Sequence, residues 1–214
     1  GEDDNGPPTR QWTGASEEDS GWSNPANWKS DAPPDADERG LVRLGLGRAF
    51  TVTLDRDQTL RGGLEIGRFR SKPEFDLAGH TLTIASGAMR FGGPRAGGVI
   101  ANGTLRLGST SAAANLHLFD SRLYGGRELV LAESLVIDPV NVAMLSVGRT
   151  TGNRTVDGVV DMSEARFVDN TLRAETMTVG EYRHWLGGYG SRAELMLPGT
   201  LRRIHVGALR VGVN

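Results

Sequence analysis

The chain has 214 residues, which is enough for one large domain or two small ones. It contains 30 glycines, about twice the ~7% of average usage, together with no cysteine, 6% aromatic residues and a net charge of −2. These values argue against a disulfide-stapled miniprotein, a thiolate metal site and a membrane-spanning helix of ~18 apolar residues, and the glycines lack the three-residue period of collagen. The class of protein that this composition still fits is a turn-rich β protein.

The chain begins with an acidic stretch. Residues 1–40 carry ten acidic and three basic side chains, whereas the remaining residues carry 16 acidic and 21 basic ones. We interpret residues 1–11 as an acidic leader that is either simply solvated or attracted to a basic segment near the other end of a second copy. The candidate contact residues are Glu2, Asp3, Asp4, Arg202, Arg203 and Arg210. The arginines are scattered one by one along the sequence, and no basic helix or aromatic platform accompanies them. Nucleic-acid binding is therefore not expected.

Three of the four tryptophans lie between residues 12 and 28, in the segments Trp-Thr-Gly and Gly-Trp-Ser-Asn-Pro-Ala-Asn-Trp. The Ser-Asn-Pro sequence favours turns that would hold the rings in a compact loop. Large aromatic rings can cover the exposed end of a stack of strands. Residues 12–40 are therefore predicted to form an N-terminal cap built on Trp12, Trp22 and Trp28.

From residue 41 onward, short apolar–x–apolar segments recur, and many of them end at a glycine. They begin at residues 64, 82, 105, 129, 145, 159, 177, 195 and 209. Alternation of this kind predicts strands, and one short strand recurring about every 18 residues is typical of a solenoid. We predict an all-β, parallel β-solenoid of about nine to ten coils over residues 41–214. An antiparallel sandwich is the alternative, but it would need more two-residue hairpin turns.

The last part of the solenoid has a finer repeat. Its x-Val-Gly units begin at residues 145, 177 and 209, in two equal steps of 32 residues. Because the loops between them differ in length, we interpret this step as a unit of two coils.

The tryptophan motif followed by L-x-V-G segments resembles the start of bacterial autotransporter-passenger-like β-helix repeat proteins. The resemblance implies a single-stranded, right-handed parallel β-helix, export to the extracellular space or cell surface, and a structural or adhesive role. No sequence feature indicates a membrane-spanning segment.

Signs of chemistry are few. The sequence contains no phosphate loop, dinucleotide fingerprint or nucleophile elbow, and its four histidines lack the spacing of metal ligands. Asp35 with Asp37, and Asp55 with Asp57, are weak candidates for a calcium site, since calcium needs six to eight oxygen ligands. We therefore expect neither enzymatic activity nor a required cofactor.

Tyr182, Trp185 and Tyr189 form an aromatic cluster that could stack on sugar rings or simply cover a coil edge. The favoured hypothesis is a structural protein that self-associates head to tail into a fibre, matrix or surface layer. The alternative is a cell-surface adhesin that binds a glycan through this aromatic cluster.

Overall fold

The computed structural model describes residues 6–150, 156–181 and 191–212. Its strands are β1 (Arg10–Gln11), β2 (Asp37–Glu38), β3 (Val42–Leu44), β4 (Ala49–Thr53), β5 (Gln58–Leu60), β6 (Leu64–Ile66), β7 (Lys72–Asp76), β8 (Thr81–Ile84), β9 (Gly87–Phe91), β10 (Gly98–Ala101), β11 (Gly103–Leu107), β12 (Ala114–Leu118), β13 (Glu128–Leu131), β14 (Leu135–Pro139), β15 (Val142–Val147), β16 (Val156–Asp161), β17 (Arg166–Phe167), β18 (Thr171–Val179), β19 (Ser191–Met196) and β20 (Arg203–Val211). Three single-turn 3-10 helices cover Pro25–Asn27, Lys29–Asp31 and Val168–Asn170.

The strands form three sheets in which every neighbour is parallel. Sheet 1 has the order β1-β3-β6-β9-β12-β15-β18-β20, sheet 2 the order β4-β7-β10-β13-β16-β19, and sheet 3 the order β2-β5-β8-β11-β14-β17. From β3 to β19, consecutive strands pass from sheet 1 to sheet 2 and then to sheet 3 before the chain returns to sheet 1. The chain is therefore a right-handed parallel β-helix, and the expected fold class is confirmed.

One coil of this helix contains three strands, which corrects the predicted number of coils. Strands β3 to β17 make five complete coils, and β18 to β20 continue beyond them. The expectation of nine to ten coils was wrong because it treated each apolar–x–apolar segment as a whole coil. The 32-residue step is likewise one coil rather than two, since Leu145 pairs with Met177 and Met177 pairs with Leu209. Earlier coils are shorter, as Arg43 and the adjacent Glu65 are 22 residues apart.

The core is a set of apolar columns that run along the helix axis. In sheet 1, one column continues from β3 to β18 through side chains that are all buried. These are Val42, Leu64, Met89, Leu116, Leu145 and Met177. Burying such a side chain stabilises the fold by about 1.5–3 kcal/mol. The period-two alternation of the sequence thus supplies one inward residue per coil to each column.

Glycine is required where the core approaches the backbone most closely. Phe119 packs edge-on against Phe91, with 5.6 Å between the ring centroids. A Cβ atom on Gly158 would lie 2.2 Å from the Phe119 ring. The phenylalanine therefore fits into the core only because the next coil has no side chain at this position.

The tryptophans close the N-terminal end of the core, as predicted. Trp12, Trp22 and Trp28 are all buried, and Trp28 packs edge-on against the other two at centroid distances of 5.2 and 5.1 Å. The Trp22 indole Nε1 donates a hydrogen bond to Gln58 Oε1 at 2.9 Å. The Trp22 backbone N–H bonds to Thr53 at the edge of sheet 2, so the cap covers that edge as well as the core.

Candidate functional site

Strand β20 forms an open edge at the C-terminal end of sheet 1. It is nine residues long and pairs with β18 on one side. On the other side, no strand within the described ranges pairs with it. The neighbouring edge of sheet 2, strand β19, is open in the same way, and Met196 at its end is 39% exposed.

The inward side of β20 continues the columns of the core. Ile204 pairs with buried Leu172, and Leu209 pairs with buried Met177. Val206 and Val211 occupy the corresponding positions beside Ala174 and Val179. Ile204, Leu209 and Val211 are nevertheless 51, 59 and 65% exposed, because no coil within the described ranges covers them. Apolar side chains in line with the core therefore reach the surface at β20, and exposed apolar patches of this kind mark contact sites.

The two ends of the helix also differ in charge. Arg202, Arg203 and Arg210 are exposed at the C-terminal end, and Arg210 lies 3.6 Å from the buried carboxylate of Glu181. At the N-terminal end the exposed charges of the cap are mainly acidic: Glu17, Glu18, Asp19, Asp31, Asp35 and Asp37. The three leader acids expected to meet the arginines, Glu2, Asp3 and Asp4, lie outside the described residues.

The outer face of sheet 1 carries a row of polar side chains, one per coil. Arg90, His117, Ser146 and Thr178 are consecutive members of this row. His117 Nδ1 lies 2.7 Å from Ser146 Oγ, and both the serine and the threonine are fully buried. Because Ser146 has no exposed surface, the pair forms an internal hydrogen bond rather than an accessible nucleophile and base.

Burial lowers the pKa of His117 to about 4. The nearby cations Arg90 and Arg149 act in the same direction, and Asp120 opposes them. Asp120 forms an ion pair with Arg90, and Arg149 Nε lies 3.0 Å from Glu181. The imidazole is therefore neutral at pH 7 and lies beside a charged network in which Arg90 pairs with Asp120 and Arg149 pairs with Glu181.

The four aspartates proposed for calcium each contact a different partner instead of sharing one site. Asp37 faces Arg61 at 2.7 Å and Asp35 faces Arg10 at 3.6 Å. Asp55 accepts hydrogen bonds from Ser23, and Asp57 accepts one from the Thr81 N–H at 2.9 Å. Within the described ranges, no group of three or more histidine, aspartate or glutamate side chains converges on a metal-sized site.

The aromatic cluster proposed for glycans, Tyr182, Trp185 and Tyr189, lies outside the described residues. The structure reveals instead a basic groove that sequence reasoning missed. It is lined by Arg48, Arg70, Lys72, Arg95 and Arg127 with Ala49. These cations are isolated in the sequence, and only the coil length could have indicated that they share one side of the helix.

Fold and surface together define a three-sheeted parallel β-helix with a capped N-terminal end and an open C-terminal end. No protein-family model, curated protein or solved structure matches the chain. None of its described segments is a helix long and apolar enough to cross a membrane.

Proposed function

We propose that the protein is a structural β-helix that joins to a second copy through its open C-terminal end. The observation that carries this proposal is the uncovered continuation of the core in Ile204, Val206, Leu209 and Val211. An unpaired strand edge with apolar side chains is a template for another strand. Pairing with a second β20 would cover both copies at once.

The alternation along β20 selects one symmetric register. Inward side chains occupy positions 204 and 206 and then 209 and 211, because the alternation shifts by one residue at Gly207, as it does in the paired strand β18 between Ala174 and Met177. An antiparallel β20 pair centred between residues 207 and 208 sets Ile204 opposite Val211 and Val206 opposite Leu209 of the other copy. All four apolar side chains then meet apolar partners on the same face.

Charge is compatible with this register. Arg210 lies opposite His205 of the second copy, and Arg203 lies opposite Gly212, so no two arginines face each other directly. Covering a half-exposed Ile, Leu or Val gains on the order of 1 kcal/mol, and the symmetry doubles the total. Association costs at least several kcal/mol, which offsets much of this gain, so the balance points to a weak dimer that forms at high protein concentration.

The head-to-tail contact expected from the sequence is the competing arrangement. Its support is the acidic cap, which would meet the basic C-terminal end. At that end the edge strands of sheets 1 and 3 are β1 and β2, each only two residues long. Among the described residues at that end, the tryptophans also leave no large apolar side chain of the core exposed. We therefore favour the tail-to-tail dimer over an open filament.

Light scattering coupled to size-exclusion chromatography tests the proposal. We expect the 214-residue chain to reach the mass of a dimer at high concentration and Leu209→Lys to remain monomeric. Val168→Lys is the matched control, because Val168 is an exposed valine that lies outside strand β20. A monomer at all concentrations would contradict self-association, and a mass that grows without limit would favour head-to-tail filaments.

Disulfide capture tests the register itself. The chain has no native cysteine, so the double variant Ile204→Cys/Val211→Cys can form only engineered bonds. Directly opposed residues of an antiparallel pair lie within disulfide reach. We expect a covalent dimer, and failure of the bond to form in a dimeric sample would exclude this register.

The proposal keeps the extracellular or cell-surface location and the autotransporter-passenger-like kinship suggested by the sequence. Their support is that the tryptophan motif forms a cap and that the L-x-V-G segments form successive coils. An antibody against the chain should label intact cells of the source organism. Labelling that requires permeabilised cells would contradict this part of the proposal.

A further inference from the structure

The corner of the coil that leads into sheet 2 carries the basic groove. Four consecutive coils contribute to it, through Arg48, then Arg70 and Lys72, then Arg95, and then Arg127. The groove has a volume of about 430 Å³ and is lined by these five cations and Ala49. It lies away from the open C-terminal end, so it is independent of the proposed dimer.

Hydrogen bonds between the backbones of neighbouring coils place the cations in a row along the helix axis. The N–H of Lys72 donates to the carbonyl of Arg48 at 3.1 Å, and the N–H of Arg127 donates to the carbonyl of Ala96 at 2.7 Å. The N–H of Arg70 donates to the carbonyl of Pro94, next to Arg95. Successive coils are about 4.8 Å apart, so positive charge recurs along the groove at that interval.

These charges have no acidic partner among the residues that the structure describes. None of the five forms an ion pair with any residue that the structure describes, whereas Arg10, Arg43, Arg61, Arg90, Arg106 and Arg149 each do. Glu74 and Glu128 follow two of the cations in sequence, but neither lines the groove. Arg48 donates to the Ala49 carbonyl, and Arg70 lies 4.9 Å from the centre of the Phe69 ring. Repulsion among the five is thus not relieved by any direct ion pair within the described residues.

Two of the arginines occupy backbone positions that usually favour glycine or asparagine. Arg70 and Arg95 have φ values of 61° and 60° and stand at equivalent corners of successive coils. Left-handed backbone costs an ordinary residue about 1–2 kcal/mol. Residues held in this way are concentrated at ligand-binding sites, where the strain positions a functional side chain.

We propose that the basic groove binds an acidic polysaccharide that runs parallel to the helix axis. Carboxylates along a polyuronate chain recur at an interval close to the coil spacing, and guanidinium groups bind carboxylates through paired hydrogen bonds. A single-stranded nucleic acid would need aromatic platforms for its bases. The aromatic side chain next to the groove, Phe69, already packs against Arg70.

Binding of oligogalacturonate, measured by isothermal titration calorimetry at low and physiological salt, tests this proposal. The informative variant is Arg70→Asn/Arg95→Asn, because asparagine accepts positive φ and the substitutions should therefore preserve or raise the thermal midpoint. We expect this variant to lose about tenfold or more in affinity and to show a shallower dependence on salt. Arg166→Asn/Arg173→Asn removes the same charge from exposed sites elsewhere and should bind as the wild type does.

Four outcomes would overturn the proposal. They are no binding of oligogalacturonate by the wild type at low salt, equal affinity of the groove variant, an equal loss in the control variant, and tighter binding of single-stranded oligo(dT) than of oligogalacturonate. The last outcome would assign the groove to nucleic acid instead. A neutral dextran should show no heat of binding.

Discussion

His117 shows how a polar side chain is accommodated between coils. Its ring belongs to the row of polar side chains on the outer face of sheet 1. Asp120, from the loop that follows β12, lies nearby, and His117 Nδ1 is hydrogen-bonded to Ser146 of the next coil. Protonation would place an additional cation beside Arg90 and Arg149. The neutral imidazole is consequently the form that this environment stabilises.

We expect His117 to make stability fall as the pH drops from about 6.5 to about 4. The pKa is about 4 in the folded protein, below the ordinary value of 6.5, so within this window only the unfolded chain binds the proton. The loss should reach roughly 3 kcal/mol at the acid end. Urea unfolding at several pH values should show a smaller pH dependence for His117→Asn. The control His205→Asn, at an exposed histidine of β20, should retain it, and an unchanged slope in His117→Asn would contradict the assignment.

At the scale of elements, the cap and the strands could be predicted from the sequence, whereas their grouping into coils could not. Alternation marks a strand, but a coil is defined by its corners, and several corners lack glycine. Ala78 and Asn102 have positive φ, as do Arg70 and Arg95, so these turns resemble ordinary loop residues in the sequence. The basic groove was missed for the same reason, because its cations become neighbours only once the coil length is known.

The cap predicts a graded response to substitutions of Trp22. Trp22→Ala should cost about 3–5 kcal/mol in the free energy of unfolding, because it opens a cavity above the first coil. Trp22→Phe keeps an aromatic ring but removes the 2.9 Å hydrogen bond to Gln58, and it should cost about 1–3 kcal/mol. Thermal and urea denaturation would measure both. The control Phe69→Ala removes a ring that is 50% exposed and should change stability by less than about 0.5 kcal/mol. Equal losses in Trp22→Ala and Phe69→Ala would argue against the cap.

The whole molecule is a β-helix with two different ends, and its stability comes from contacts between neighbouring coils. One end is sealed by indole rings, and the other ends in a strand with a neighbour on one side. Coils in the middle have neighbours above and below, whereas β20 depends on β18. Local opening should therefore be easiest at β20, and a second copy is the kind of ligand that would suppress it.

Hydrogen–deuterium exchange can follow this gradient and relate it to self-association. At low protein concentration we expect the slowest exchange in β9, β12 and β15 and the fastest strand exchange in β20. Raising the concentration should slow exchange in β20 of the wild type and of Val168→Lys. The antiparallel pair would supply hydrogen-bond partners for the backbone amides on the edge of β20 that does not face β18. It should leave β20 of Leu209→Lys unchanged. If β20 of that variant is as protected as β12 even in dilute solution, then the C-terminal edge is stable by itself and has no need of a second copy.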